Sequence, residues 1–277
     1  MTGQLRTLDS RDRDRVMEFL EASPYENLFL TSKVEQFGVD RRRLGRIHAF
    51  QRGSEISALC LDGGTIFVTG NDSEALPHIV HELGSFRRAT SIVGPTFPAL
   101  GLFIGLAERW RDQWGSVSNV RRRQPLMVLD RPVAAEGDPR VHRLGDEVFE
   151  SYLEASVMMY TDEIGSSPFK YGPGYESFVL SRLREGDAYG IVVDGEVIFK
   201  ADLGPRHKGQ VQLQGVWVKP ELRGQGLAVP ALAEMLRIVM RDFDTVSLYV
   251  NDFNSAALRT YERLGFETVG SLSTVHY

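Results

Sequence analysis

Residues 216–228, Val-Trp-Val-Lys-Pro-Glu-Leu-Arg-Gly-Gln-Gly-Leu-Ala, constrain the fold more than any other stretch of this 277-residue chain. An alternating apolar run reads as a strand, passes through a loop with two glycines and opens a helix with apolar positions Leu227, Ala231, Leu232, Met235, Leu236 and Val239. Pro230 suits the first turn of that helix, where its missing N–H costs little. Gly224 and Gly226 let the backbone come close to a ligand, consecutive N–H groups point into the turn, and the helix N-terminus favours anions. The loop suits a pyrophosphate, with Arg223 a fixed positive charge at its mouth. Taken alone, the pattern equally fits a tight strand-to-helix turn.

The elements around this segment alternate between strand and helix. In the first half IHAFQRG, ISALCLDGG, TIFVTG, SIVG and QPLMVL read as strands, with helices over Glu74–Leu83 and Ala99–Trp110. The proline- and glycine-bearing run Asp130–Pro139 reads as a linker, which predicts a domain over 1–130, a linker over 131–139 and a second domain over 140–277. In the second half Val141–Leu144 opens a sheet and helices cover Asp146–Tyr160 and Tyr175–Arg184. A hairpin turns at Asp194-Gly195, and strands VQLQGVWV and TVSLYV flank the glycine-loop helix. Helix Ser255–Leu264 and a closing strand pair over Phe266–Tyr277 end the chain. Both halves finish strand, helix, strand, helix, strand, a faint internal repeat in element order.

Composition narrows the function. The only cysteine, Cys60, excludes an internal disulfide and a Cys-rich zinc site, and points to a reducing compartment, the cytoplasm by default. No apolar leader or membrane-length apolar run is present. Residues 1–138 are charge-neutral and the net −5 lies entirely in 139–277, which argues against nucleic acid as a partner and mildly favours cationic ones. The basic runs Arg41–Arg43 and Arg121–Arg123 read as solvated edges or turns, or as phosphate or partner contacts. The six histidines form no HxxxH or HxH pair, so no metal is expected, and no G-x-S-x-G elbow supports a hydrolase.

Downstream of the glycine loop, Asn251, Asn254, Ala257, Tyr261, Gly265 and Phe266 spell N-x-x-N-x-x-A-x-x-x-Y-x-x-x-G-F. With VxVxPxxRGxGxA, this resembles the GNAT superfamily of acyl-CoA-dependent N-acyltransferases over about residues 140–277. LYVNDFN, MMYTDEIG and QLQGVWVKPELRGQGLA look like an actinobacterial two-domain group in which a degenerate GNAT-like domain precedes the active one. The implied fold is α/β (α+β) with tandem GNAT-like domains, each a mixed, mostly antiparallel twisted sheet flanked by helices. The resemblance implies acetyl-CoA as acyl donor, its pantetheine lying like an extra strand against Val216, Trp217 and Val218. Backbone N–H groups of Arg223, Gly224, Gln225, Gly226, Leu227 and Ala228 would hold the pyrophosphate. Asn251 and Asn254 would complete the cofactor site, although Asn254 also reads as a plain helix N-cap.

Amide formation from a thioester needs an uncharged amine and expels a thiolate. An alkyl amine with a pKa of about 10.4 must lose a proton, and a phenol beside the sulfur can return one. Tyr261 is the candidate acid, with a core tyrosine as the bland reading. Many GNAT members carry a glutamate on the fourth strand as base, but here Gln210, Gln212 and Gln214 occupy that stretch and cannot accept a proton. Asp162 and Glu163 are the nearest acidic candidates, as base or acceptor contact, or else solvated charges in a loop. Trp217 and Tyr171 line an acceptor pocket, or Trp217 belongs to the core. Cys60, in an apolar strand of the other half, disfavours an acyl-enzyme and leaves direct transfer in a ternary complex. The expected acceptor is a primary amine, a small molecule or a protein lysine. The alternatives are an acyl-CoA sensor or inactive scaffold, and an aminoacyl-tRNA-dependent transferase.

Overall fold

The computed structural model describes residues 3–171 and 174–277. The first half runs β1 (Gln4–Thr7), α1 (Arg13–Glu21), α2 (Pro24–Phe37), β2 (Arg46–Arg52), β3 (Glu55–Asp62), β4 (Thr65–Gly70), α3 (Ala75–Leu83), β5 (Ser91–Pro95), α4 (Thr96–Arg109), α5 (Arg111–Trp114) and β6 (Asn119–Leu129). The second runs β7 (His142–Arg143), α6 (Phe149–Ile164), α7 (Gly174–Arg184), β8 (Ala188–Val193), β9 (Glu196–His207), β10 (Gln210–Val218), α8 (Ala228–Val239), β11 (Thr245–Tyr249), α9 (Ser255–Leu264) and β12 (Glu267–His276). Residues 1–45, for which the sequence suggested no elements, supply a strand and two helices.

All twelve strands join one sheet in the order β1-β2-β3-β4-β5-β12-β6-β11-β10-β9-β8-β7. Read from either end, the order matches each strand with the one six later in sequence, so the repeat is a pseudo-dyad passing between β12 and β6. The two central strands are exchanged. β6 pairs with β11 of the second half (Leu126 opposite Tyr249), while β12 pairs with β5 of the first (Val275 opposite Ile92). This corrects the expected closing strand pair: residues 267–276 form a single strand because both its edges are taken, by β5 and by β6.

Each half of the sheet buries both faces. α1 and α2 cover one face of the first half with Val16, Leu20, Leu30 and Val34 against Leu59 and Phe67, and α3 and α4 cover the other. In the second half α8 and α9 pack one face through Leu232, Leu236, Tyr261 and Leu264, and α6 and α7 pack the opposite one. Burying strands on both sides explains why they read as continuous apolar runs. The hairpin turns where expected, with Asp194 at φ 51° and Gly195 at φ 80°, the paired positive values of a type I′ turn.

The halves are also clamped side by side. α2 lies against β9, where buried His207 stands between two carboxylates, with Nδ1 2.8 Å from Glu35 Oε2 and Nε2 3.0 Å from Glu21 Oε1. Lys208 Nζ donates to Glu21 Oε2 at 2.7 Å. The basic run on β6 is part of the sheet rather than a turn: Arg122 and Arg123 are exposed, while Arg121 points inward and is buried.

Candidate functional site

The site begins where two parallel strands part. β10 and β11 are in register only at Gln210–Thr245, Val211–Val246 and Gln212–Ser247, after which β10 continues to Val218 paired with β9 alone. Gly215, at φ 62°, sits at a register break between Gln214 and Trp217, which turns the strand away from β11. Along the parted segment Trp217 is buried against α6 and α7, whereas Val216 and Val218 pack towards α8. Trp217 is thus part of the core under α6, and its indole N–H has no hydrogen-bond partner.

The glycine loop lies at the end of the parted strand. Gly224 and Gly226 hold φ of 76° and 84°, and a β carbon at either would meet open space, so the dihedral angle rather than crowding requires glycine. α8 begins at Ala228 with no side chain capping its N-terminus, leaving its first N–H groups to other acceptors. These residues fit a diphosphate: an open, exposed loop, positive φ and an uncapped helix start. Arg223 donates through Nε to the Val218 carbonyl and through Nη2 to Asp162 Oδ2, both at 2.9 Å. Asp162 is therefore an ion-pair partner of the loop, not a free carboxylate.

Glu163 is paired as well. Arg121 on β6 donates to Glu163 Oε1 at 2.8 Å and to the Glu163 carbonyl at 3.0 Å. The same carboxylate is felt by two phenols. Tyr261 is buried and its hydroxyl is pushed well above the ordinary tyrosine range, by burial first and by Glu163 second. Tyr249 has an exposed ring, yet its hydroxyl is also raised, by desolvation first and Glu163 second, with Arg121 opposing. For Tyr261 both influences favour the protonated phenol over the phenolate. Its ring packs edge-on to Phe266 at 5.8 Å, so it is also a core side chain.

Asn251 Oδ1 accepts from Gln124 Nε2 of β6 at 3.1 Å, and Gln124 Oε1 accepts from Thr274 of β12 at 2.6 Å. Asn254 Oδ1 caps α9 by accepting from the Ala257 N–H at 3.1 Å. The side chain of Tyr171 lies outside the described residues. Arg121 was noted only as part of a basic run, and the residues the sequence did not single out are Gln124 and Tyr249 and a buried group beneath Gly215 made of Lys200, Asp202 and Tyr152. A lysine at an inward position of the apolar run VIFKADLG was the available signal for the last.

Apart from the split, an open groove of about 650 Å³ runs between α6 and the β8–β9 turn. Its lining includes Leu153, Val157 and Phe169 together with the carboxylates of Glu150, Glu154, Asp194 and Glu196, and Lys219 pairs with Glu196 at 2.5 Å. Among the described residues, no three His, Cys, Asp or Glu side chains gather as a metal site, and no helix is long and apolar enough to cross a membrane. Cys60 is fully buried and burial pushes its thiol far up, so it is not a nucleophile.

The matching crossing in the first half is built differently. β4 and β5 likewise pair at three positions, Thr65–Ser91 to Phe67–Val93, but their backbones still touch one residue further on, where a β carbon on Gly94 would lie 2.1 Å from the Val68 carbonyl oxygen. In place of a glycine loop, Asp72 and Glu74 precede α3, and Arg52 grips them at 2.7 and 2.8 Å. The Arg52 hydrogen bond, with one from Ser57, holds the Asp72 carboxyl down at about 2. Two carboxylates at that helix start repel a phosphate rather than attract one.

Comparison with known proteins agrees with this asymmetry. Residues 45–152 match a domain of unknown function, DUF4081, and residues 149–266 match the acetyltransferase (GNAT) family. A protein described as acetyltransferase Atu2258 from Agrobacterium fabrum is 32% identical over 100 residues, covering 35% of this chain and 72% of that one. Mycothiol acetyltransferase from Kytococcus sedentarius is 31% identical over 169 residues, covering 52% of this chain and 54% of that one, so the chain spans about half of it. Among solved structures, a GCN5-related N-acetyltransferase from Sphaerobacter thermophilus superposes with a TM-score of 0.65 over 99% of this chain and 95% of that one, at 14% identity. A tandem GNAT protein from the clavulanic acid biosynthesis pathway gives 0.57 over 99% and 98%, also at 14% identity. These two likenesses are of fold.

Proposed function

The chain belongs to the GNAT family of acetyltransferases and is an acyl-CoA-dependent N-acetyltransferase, and we propose that its second half moves an acetyl group from acetyl-CoA to a primary amine by direct transfer. The observation that carries this reading is the parting of β10 from β11 at Gln212, with an uncapped helix start at its mouth. Val216 and Val218 present backbone groups to the pantetheine, and the Arg223–Ala228 loop donates N–H groups to the diphosphate. The thioester supplies an activated acyl carbon. Tyr261 gives its proton to the departing sulfur, and Asn251 and Asn254 border the same end of the split.

The proton leaving the amine has no carboxylate on β10 to receive it, and both Asp162 and Glu163 are engaged by arginines. Deprotonation therefore runs through water to bulk, or needs the Arg223–Asp162 pair to open when the diphosphate draws Arg223 away. The acidic groove beside α6 favours a cationic acceptor, a small amine or a protein lysine. A cytoplasmic setting is part of the same proposal.

The pairing of both carboxylates also favours a second reading, an acyl-CoA-binding module without turnover. Calorimetry with acetyl-CoA, run beside an acetylation assay over pooled primary amines and lysine peptides, separates the two. Binding with transfer supports the enzyme, binding without transfer supports the module, and no binding rejects both.

A further inference from the structure

The buried charge beneath the parted strand has no part in the transfer described above. Lys200, on β9, is wholly buried, and its Nζ donates to Asp202 Oδ2 at 2.7 Å and to the Gly215 carbonyl at 3.2 Å. Asp202 is itself buried, and its second oxygen accepts the Tyr152 hydroxyl at 2.5 Å. The ammonium also lies 4.9 Å from the centre of the Tyr152 ring and 3.8 Å from Met159 Sδ. Burying an ion pair in this way is seldom worth its desolvation for stability alone, because an apolar pair of the same volume does as well or better.

What distinguishes this pair is the atom it reaches. Gln214 stands opposite Asp202 and Trp217 opposite Lys200, so Gly215 and Val216 together face Ala201, a bulge in the strand that borders the split. A β carbon at Gly215 would lie 2.3 Å from Asp202 Oδ2 and 3.1 Å from Lys200 Nζ, so the bulge is seated directly on the pair. In a trans peptide the C=O and N–H point in opposite directions. With the Gly215 oxygen drawn to Lys200, the N–H of Val216 is aimed away from it. A cation on the oxygen also polarises the peptide and strengthens that N–H as a donor.

We propose that Lys200, locked by Asp202 and Tyr152, is a positioning residue that fixes and polarises the Gly215–Val216 peptide so that the Val216 N–H donates to the thioester carbonyl of the acyl donor. The inference rests on the acetyl-CoA reading of the split. It gives the buried pair a function: charge that develops on the carbonyl oxygen during attack meets a donor already oriented.

The test uses the full chain and acetyl-CoA labelled with carbon-13 at the carbonyl, read by isotope-edited infrared spectroscopy, with affinity from calorimetry. In the wild type the bound carbonyl stretch is expected below its value in water. In Lys200→Met it returns towards the free value while the Kd stays within about threefold, and transfer to pooled amines falls by about tenfold or more. Lys200→Met leaves Asp202 unpaired and can fail to fold, so Lys200→Met/Asp202→Leu, which removes both charges, is measured beside it. A folded double variant with the carbonyl stretch of the wild type overturns the inference and leaves the acetyl-CoA reading intact. Lack of acetyl-CoA binding by the wild type overturns that reading, and this inference with it.

Discussion

Arg121 of β6 reaches across the exchanged centre of the sheet to hold Glu163 at the end of α6, 2.8 Å from its carboxylate and 3.0 Å from its carbonyl. A strand that the first half lends to the second thereby anchors the segment next to the proposed reaction centre. Arg121 is buried while Glu163 is half exposed. Breaking the pair therefore costs less than the 3–5 kcal/mol of a fully buried one, and Arg121→Met is expected to lose about 1–2 kcal/mol. Urea unfolding of Arg121→Met, Glu163→Gln and the double variant checks this, and strictly additive losses would show that the contact carries no coupling energy. Because Arg121 opposes the upward push on Tyr249, its loss also moves that phenol further up in a spectrophotometric titration.

Tyr261→Phe keeps the edge-on contact with Phe266, so the fold is expected to stay within about 1 kcal/mol of the wild type. Turnover should fall by about 10²–10⁴-fold with acetyl-CoA affinity unchanged, the signature of a lost proton donor. Burial and Glu163 both raise Tyr261, so any alkaline decline in wild-type turnover below pH 10 comes from another group. Unchanged turnover in the phenylalanine variant removes the acid role.

Sequence reading went furthest where the determinants are local. The strand, glycine loop and helix over 216–239, the turn at Asp194-Gly195 and the helix Ser255–Leu264 are set by neighbours in the chain. The exchange of β6 and β12 was not legible, because an apolar strand states that its faces are buried and not which strand lies at its edge. Arg121 was misleading for the same reason: one inward side chain in a run of three arginines shows only once the strand's partners are known. Asn254 carried two readings, and the cap is visible in the structure while the cofactor contact remains a proposal. Lys200 was readable as an anomaly, yet its meaning depends on Gly215, fifteen residues on and across a bulge.

Gly226 is exposed with open space around its α carbon, so what it supplies is a φ of 84°. Gly226→Asn, which tolerates the left-handed region, is expected to keep most of the acetyl-CoA affinity. Gly226→Val, strained there by about 1–2 kcal/mol, should lose it by tenfold or more. Calorimetry distinguishes them, and equal affinity in both variants would mean that the loop does not shape the diphosphate site.

His276, near the end of β12, makes the fold sensitive to acid in the same sense as a carboxylate held down by an ion pair, but at a higher pH. Burial first, and the nearby Arg121 second, lower it from its ordinary value of 6.5 to about 4, and its Nε2 is buried without a partner. The unfolded chain therefore takes up a proton between pH 6.5 and 4 that the folded chain refuses. Stability is full above pH 6.5 and falls as the pH drops towards 4, by no more than about 3 kcal/mol from this group. His48, buried on β2, is lowered by burial too and adds to the same slope. His276→Gln, neutral at every pH, is expected to flatten the fall in urea midpoint between pH 7.5 and pH 5. An equally steep fall in wild type and variant would show that His276 is protonated in the folded chain.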